Sequence, residues 1–187
     1  MIPAPFRVVL DACVLYPFTL RDVLLQAAAR GFYQVYWSEM ILDEALRNLI
    51  ADGRMTEANA AKLLAAMRRA FPEAQVTDFE DLISSMRNDE KDRHVVAAAL
   101  KAGAQLIVTS NRRDFYALPS GIDVQTPDEF LANLFDLDPP GMVGVLETLV
   151  HRYQRPAMAI DRILDALALT EFADLIHAWL DGSNGAP

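Results

Sequence analysis

Acidic side chains follow two strand-like runs of this chain, one directly and one in the loop that comes next. Asp11 comes after "RVVL" (Arg7–Leu10), and Asp114 lies in the loop after "QLIVT" (Gln105–Thr109). In an open parallel sheet, binding sites form beyond the C-terminal ends of the strands, where the strand order reverses. We therefore expect both carboxylates at one edge of one sheet. A solvated loop acid for Asp11 and an Asx-type turn for Asp114 are the simpler alternatives.

A third acid is placed by helical geometry. The residues three, four and seven positions after Asp92 are Val95, Val96 and Ala99, so its side chain shares the apolar face of a predicted helix. A lone charge on a buried face is costly, unless the helix start opens onto a polar pocket that holds a cation. Asp89, three residues earlier, fits an ordinary N-cap, and helix capping is the competing explanation for these acids.

Carboxylates from three separate segments would then lie close together. Several such groups cannot all stay ionised unless a cation compensates them. Mg²⁺ takes oxygen ligands from one or two carboxylates, from water and from substrate phosphate. Sites of this kind catalyse phosphodiester hydrolysis, in which a metal ion activates water and stabilises the leaving oxygen.

The elements that must position these acids alternate between strand-like and helix-like patterns up to about residue 125. This alternation predicts an α/β fold with a parallel sheet. The predicted strands are Arg7–Leu10, Phe32–Trp37, a short one within Ala74–Phe79, Gln105–Thr109 and Asp123–Gln125.

Beyond Thr126 the pattern is helical throughout. Asp138–Met142 ("DPPGM") is predicted to break it, and Asp181–Pro187 is predicted to be a frayed tail. We therefore predict an α/β domain over residues 1–135 and a C-terminal helical extension over residues 136–187.

The bulk composition narrows the classes of function. The 187 residues are 52% hydrophobic, which is ample for a core, and the formal net charge is −9. Such a balance argues against an extended basic surface for duplex nucleic acid or anionic lipid, although a small local site remains compatible with it. Cys13 is the single cysteine, so neither a disulfide within the chain nor a Cys/His zinc site is expected. We find no export signal or membrane-spanning run, and expect a soluble cytoplasmic protein.

The chain resembles the PIN domain family, the ribonuclease fold of VapC-type toxins and related RNA nucleases. Four segments carry the resemblance in the family's order, over about residues 6–125: "VVLDACVL", "SEMILDEAL", "DRHVVAAAL" and "LIVTSNRRDF". The chain is more similar to the longer bacterial members, which have extra C-terminal helices, than to the shortest VapC toxins.

The resemblance implies a PIN-like, three-layer α/β/α fold and a Mg²⁺- or Mn²⁺-dependent endoribonuclease. The implied catalytic and metal-binding quartet is Asp11, Glu44, Asp92 and Asp114. The choice of Glu44 over Asp43 comes from the resemblance alone. The supporting residues would be Thr109 and Asn111, with Asp89 in reserve as a neighbour of Asp92 or a ligand in its place, and Arg112 and Arg113 as weak RNA contacts.

The implied partners are an RNA substrate, an antitoxin protein if the chain is the toxin of a pair, and a second copy in a homodimer. The alternative function is a catalytically silent PIN-like module that binds RNA or protein. Cys13 departs from the family pattern, which usually has a small polar residue there. It is expected to be a buried apolar filler, or a soft group near the metal. For His94, a surface or capping role is favoured over RNA contact.

Overall fold

The computed structural model describes residues 6–153 and 158–184. Its helices are α1 (Ala12–Leu15), α2 (Phe18–Ala29), α3 (Glu39–Ala51), α4 (Glu57–Ala70), α5 (Glu80–Ile83), α6 (Arg93–Ala102), α7 (Pro127–Leu137), α8 (Pro139–Arg152), α9 (Ile160–Leu167) and α10 (Thr170–Asn184). Short 3-10 helices span Glu90–Asp92 and Arg112–Asp114.

The strands form one parallel sheet. They are β1 (Arg7–Leu10), β2 (Gln34–Ser38), β3 (Gln75–Val76), β4 (Leu106–Val108) and β5 (Asp123–Gln125), in the order β3-β2-β1-β4-β5. The predicted α/β class with a central parallel sheet and C-terminal helices is confirmed.

The chain divides into two compact units. The first unit holds the described residues up to Pro17 together with Tyr33–Thr126, and the second holds Phe18–Phe32 with the described residues from Pro127 onward. The predicted boundary between residues 135 and 136 concerns domains rather than contact units, and it stays a prediction.

In the first unit, β1 is the strand at which the order of the sheet reverses. Val8, Val9 and Leu10 are completely buried, as expected for a strand covered on both faces. Val9 pairs with Tyr36 of β2 on one side and with Ile107 of β4 on the other. The C-terminal ends of β1 and β4 therefore lie side by side at the switch point, where parallel sheets commonly bind ligands.

The long helices of this unit have identifiable capping residues. Ser38 caps α3, with its hydroxyl oxygen 3.3 Å from the Ile41 backbone nitrogen, and Thr56 caps α4 in the same way. Gly103 ends α6 in the left-handed conformation, at φ +62°. Helix α6 itself begins at Arg93, directly after the 3-10 turn of Glu90–Asp92.

In the second unit, α2 packs against α8 and α9, and α7 packs against α8 and α10. The predicted break at Asp138–Met142 is confirmed only at Asp138, because α8 already begins at Pro139. Asp138 alone separates two helices, and its carboxylate accepts a hydrogen bond from the Gly141 backbone at 3.0 Å. The following prolines are tolerated because the first turn of a helix has no amide partners to lose.

The predicted frayed tail is also partly wrong, since α10 continues to Asn184. The last three residues lie outside the described part of the chain. Within residues 6–153 and 158–184, no helix is long and apolar enough to cross a membrane.

Candidate metal centre

Asp11 occupies the switch point between β1 and β4. Its side chain is only 5% exposed, and both carboxylate oxygens accept hydrogen bonds. The Ala12 backbone donates to Oδ1 at 2.7 Å, and the Thr109 hydroxyl donates to Oδ2 at 2.7 Å. The Asp11 backbone nitrogen also donates to Val108 at 3.1 Å. The end of β4 thus holds the acid that follows β1.

Cys13 adds a second connection between these segments. Its thiol donates to Asp11 Oδ2 at 3.1 Å and accepts from the Ser110 backbone at 3.2 Å. Burial, together with the charge of Asp11, raises the pKa of the Cys13 thiol to about 12. The thiol therefore keeps its proton at neutral pH and acts as a hydrogen-bonding link, rather than as an apolar filler.

The loop after β4 is tied to its own acid and to the start of α6. The Asn111 backbone donates to the Thr109 hydroxyl at 3.0 Å, and the Asn111 side-chain amide donates to Asp114 Oδ2. The Asp89 backbone nitrogen donates to the Asp114 carbonyl at 3.0 Å. The turn that precedes α6 and the loop that follows β4 are therefore in direct contact.

Three carboxylates converge there. One oxygen each from Asp89, Asp92 and Asp114 lies within 4.8 Å of the others, close enough for a shared cation. Asp89 also caps the 3-10 turn, because its side chain accepts from the Lys91 backbone at 3.1 Å. Capping and membership of the acidic group, which the sequence presents as alternatives, occur together at Asp89.

The pKa of Asp92 reflects its burial and the carboxylates around it. Burial, and then the charges of Asp11, Asp114, Glu44 and Asp89, raise the pKa of Asp92 to about 7. A raised pKa of this kind is expected when neighbouring carboxylates lack a compensating positive charge. The donor set, which consists of carboxylate oxygens alone, fits a hard divalent cation such as Mg²⁺ or Mn²⁺.

Glu44 reaches the site from α3 and is held by an imidazole. His94 Nε2 lies 3.5 Å from Glu44 Oε2, and the His94 side chain is only 8% exposed. The prediction of a surface or capping histidine was therefore wrong. Burial lowers the pKa of His94, although Glu44 and Asp11 oppose that shift. The neutral imidazole can present an Nε2 proton to the Glu44 carboxylate.

The structure thus places all the predicted acids in one region, with differences between them. Asp89, Asp92 and Asp114 form the close group, whereas Asp11 and Glu44 act on Asp92 through their charges and lie outside that group. Their assignment as catalytic or metal-binding residues stays a prediction. The exposed Arg112 and Arg113 lie in the same 3-10 turn as Asp114, and their RNA contact is equally a prediction.

Comparisons with known proteins agree with this arrangement. The family profile described as "PIN domain" matches residues 7–113, and the profile described as "VapC50 C-terminal domain" matches residues 127–178. A curated relative, named "Putative ribonuclease VapC50", from Mycobacterium tuberculosis (strain ATCC 25618 / H37Rv), is 38% identical over 92 residues.

That alignment covers 48% of this chain and 54% of the relative, so the chain spans about half the length of the curated protein it matches. No solved structure matches this chain. The PIN match covers more than half of the sequence, and the sheet order and the acidic segments accord with it. The chain belongs to the PIN domain family, and its helical C-terminal part matches the C-terminal domain of VapC50.

Proposed function

We propose that this protein is a divalent-metal-dependent endoribonuclease that hydrolyses RNA phosphodiester bonds. The observation that carries the proposal is the convergence of Asp89, Asp92 and Asp114 within 4.8 Å, where burial and the neighbouring carboxylates raise the pKa of Asp92. Membership of the PIN family, and similarity to a protein named as a ribonuclease, support the same activity.

In this proposal, Asp11, Glu44, Asp92 and Asp114 form the catalytic quartet and would hold Mg²⁺ or Mn²⁺, with Asp89 beside them. A bound divalent ion supplies Lewis-acid polarisation of the phosphate and lowers the pKa of water.

The surrounding residues keep the acids in position. Thr109 and Cys13 hold Asp11 through their hydrogen bonds, and the Asn111 amide holds Asp114. Ligands fixed by such outer partners lose less freedom when a metal binds.

We further propose that the protein is a toxin or toxin-like member of a toxin–antitoxin pair. The supporting observation is the match of residues 127–178 to the C-terminal domain of VapC50. An antitoxin protein, as the cognate partner, and a homodimer are parts of this proposal. Co-purification of this chain with the product of the adjacent reading frame, and loss of cell growth on expression of this chain alone, test it.

The nuclease proposal is tested with purified protein, labelled RNA and added Mn²⁺. Asp11→Asn and Asp92→Asn should each reduce cleavage by about 100-fold or more, as does removal of other groups that stabilise transition-state charge. Asp81→Asn is a matched control, because Asp81 is an exposed acid on α5 that is not a member of the acidic group. Equal cleavage by wild type and the two site variants would contradict the assignment. RNA binding without Mn²⁺ binding would favour the catalytically silent module.

A further inference from the structure

A cavity of about 470 Å³ opens beside Glu44. Its lining residues are Met40, Asp43, Glu44, Arg47, Lys91 and His94. The volume falls in the range of roughly 300–1,000 Å³ that is typical of small-molecule sites, so a nucleotide can enter. Because Glu44 belongs both to this cavity and to the proposed quartet, whatever binds here lies next to the proposed reaction centre.

Two basic side chains, Arg47 and Lys91, line the cavity together with the acids Asp43 and Glu44. Arg47 is three residues after Glu44 and four after Asp43, which are the spacings that favour helical ion pairs. Lys91 lies between two acids of the 3-10 turn. Among the described residues, neither cationic side chain has a hydrogen-bond or ion-pair partner.

Another charged residue of α3 does form an ion pair. Glu39, in the first turn of α3, is paired with Arg68 of α4. The local packing of α3 therefore allows ion pairs where the geometry is suitable. The unpaired charges of Arg47 and Lys91 are available to an external anion.

From these observations we propose that the cavity beside Glu44 binds one nucleotide of single-stranded RNA next to the cleaved bond. Arg47 and Lys91 would contact its backbone phosphate, and Met40 its base. This inference rests on the proposed ribonuclease function. It adds the cavity that holds the strand and the residues that contact the held nucleotide.

Charge and shape favour a single strand over a duplex. A phosphodiester that approaches the carboxylates of the site is repelled, and two adjacent cations offset that repulsion locally. They cannot supply the broad basic surface that a duplex requires, and the net charge of the chain is −9. Met40 is 43% exposed, which leaves its thioether accessible to a base face. A base reaches such a cavity only when it is unstacked.

The test compares Arg47→Ala/Lys91→Ala with Lys62→Ala/Arg69→Ala, which removes the same charge from exposed positions of α4. Binding of a fluorescent single-stranded oligoribonucleotide is measured by anisotropy without metal, and cleavage and Mn²⁺ affinity are measured in parallel. For the cavity variant, Kd and KM should rise about tenfold. Its kcat and Mn²⁺ affinity should stay within about twofold. The slope of log Kd against log salt should fall by about 0.7, the value for the loss of one phosphate contact on a single strand.

A second variant tests the base contact. Met40→Ala should weaken binding of the ordinary oligonucleotide several-fold and leave binding of an abasic oligonucleotide unchanged. Equal effects on both strands would overturn the role of Met40.

The outcomes separate this inference from the ribonuclease proposal. If the wild type cleaves RNA, and the cavity variant equals the α4 control, the subsite is wrong and the nuclease stands. If the wild type binds RNA through the cavity cations without cleaving it, the nuclease is wrong and the subsite stands. Equal affinity for duplex RNA would contradict the proposal that the cavity selects single-stranded RNA. Absence of both binding and cleavage would overturn both proposals.

Discussion

Asp11 accepts hydrogen bonds from a backbone amide, a hydroxyl and a thiol, and the thiol is the unusual member. Cys13 also accepts from the Ser110 backbone, so one side chain joins the segment after β1 to the segment after β4. The family position usually carries a small polar residue. The structure shows how a cysteine serves there: its raised pKa keeps the proton that it donates.

We predict that Cys13→Ala destabilises the protein by about 1 kcal/mol, because the change removes a hydrogen bond to the buried carboxylate of Asp11. Cys13→Ser should cost less, since a hydroxyl can make the same contacts. Urea unfolding of both variants at pH 7 provides the measurement. An alanine variant as stable as the serine variant would show that the thiol only fills space.

Asp92 predicts a pH dependence of stability in the metal-free protein. Its folded-state pKa of about 7 lies above the ordinary value of 3.8, so the folded state binds more protons between these values. The contribution of Asp92 to the free energy of unfolding is therefore fully present below about pH 4. It is lost as the pH rises through 7. Asp92→Asn, which carries no charge at any pH, escapes this loss.

The expected result is that Asp92→Asn and wild type melt at similar temperatures at pH 4 in chelator, whereas the variant melts higher at pH 8. Differential scanning calorimetry at the two pH values measures this. Excess Mn²⁺ at pH 8 should reverse the order, since only the wild type keeps the full carboxylate set. A pH-independent difference would mean that the carboxylates do not crowd one another.

The positions of the acids could be predicted from the sequence, because strand ends and helix faces are local patterns. Asp11, Asp92 and Asp114 could each be placed from their immediate neighbours. The contacts of Cys13 and His94 could not be placed in this way, because their partners are Ser110 and Glu44, remote in sequence. A lone histidine or cysteine carries no periodic signal that indicates which residue it will meet.

At the scale of elements, α6 contributes both an acid and the group that holds another acid. Asp92 precedes its first residue, and His94 lies in its first turn against Glu44 of α3. Val95, Val96 and Ala99 are fully buried, so the helix cannot rotate without exposing apolar surface. The apolar face of α6 thereby fixes the direction of a polar contact.

We predict that His94→Leu lowers Mn²⁺ affinity about tenfold, the lower end of the usual effect of removing an outer partner of a metal ligand. His94→Gln, whose amide can donate to Glu44, should restore part of the loss. Titration calorimetry on both variants is the measurement. In a Glu44→Gln background, His94→Leu should cost nothing further. A full loss in that background would place the effect of His94 on folding rather than on Glu44.

The N-terminus of α10 is capped by a residue of another helix. Asp128 of α7 accepts from the backbone nitrogens of Thr170 and Glu171 through one carboxylate oxygen, at 3.0 and 3.1 Å, and from Phe172 through the other at 2.8 Å. These are amides that an α-helix leaves unpaired. The sequence shows Asp128 only as an acid in the first turn of α7. Its capping of α10 depends on a contact about 43 residues away.

Asp128→Ala should therefore destabilise the second unit by about 1–2 kcal/mol, the usual cost of losing an N-cap side chain. Asp136→Ala is the matched control, because Asp136 is an exposed acid on the same helix. Hydrogen exchange at the first amides of α10 reports the effect locally. Unchanged protection of those amides in Asp128→Ala would show that the cap contributes nothing.

At the scale of the whole molecule, the chain order and the contact units differ. Phe18–Phe32 belongs with the helices beyond Pro127, although it lies between two strands of the sheet. The alternation of strands and helices could be predicted from local periodicity. The grouping of α2 could not, because an amphipathic helix does not indicate which apolar surface it will cover.

The two tryptophans of the chain allow metal binding to be followed in one unit. Trp37 is buried in the first unit, which carries the acidic site, and Trp179 belongs to the second. In a Trp179→Phe background, the fluorescence of Trp37 reports unfolding of the first unit alone. A ligand that binds only the folded state, at 100 times its Kd, stabilises it by about 2.7 kcal/mol.

For a chain of this size, we predict that Mn²⁺ raises the midpoint of the Trp37 transition by about 5–10 °C. Asp43→Asn should show the same shift, because its carboxylate is exposed and lies outside the acidic group. Asp92→Asn/Asp114→Asn should show almost none. A Mn²⁺ shift that persists in the double variant would place the metal elsewhere in the molecule. A shift absent from the wild type would remove the cation on which the proposed hydrolysis depends.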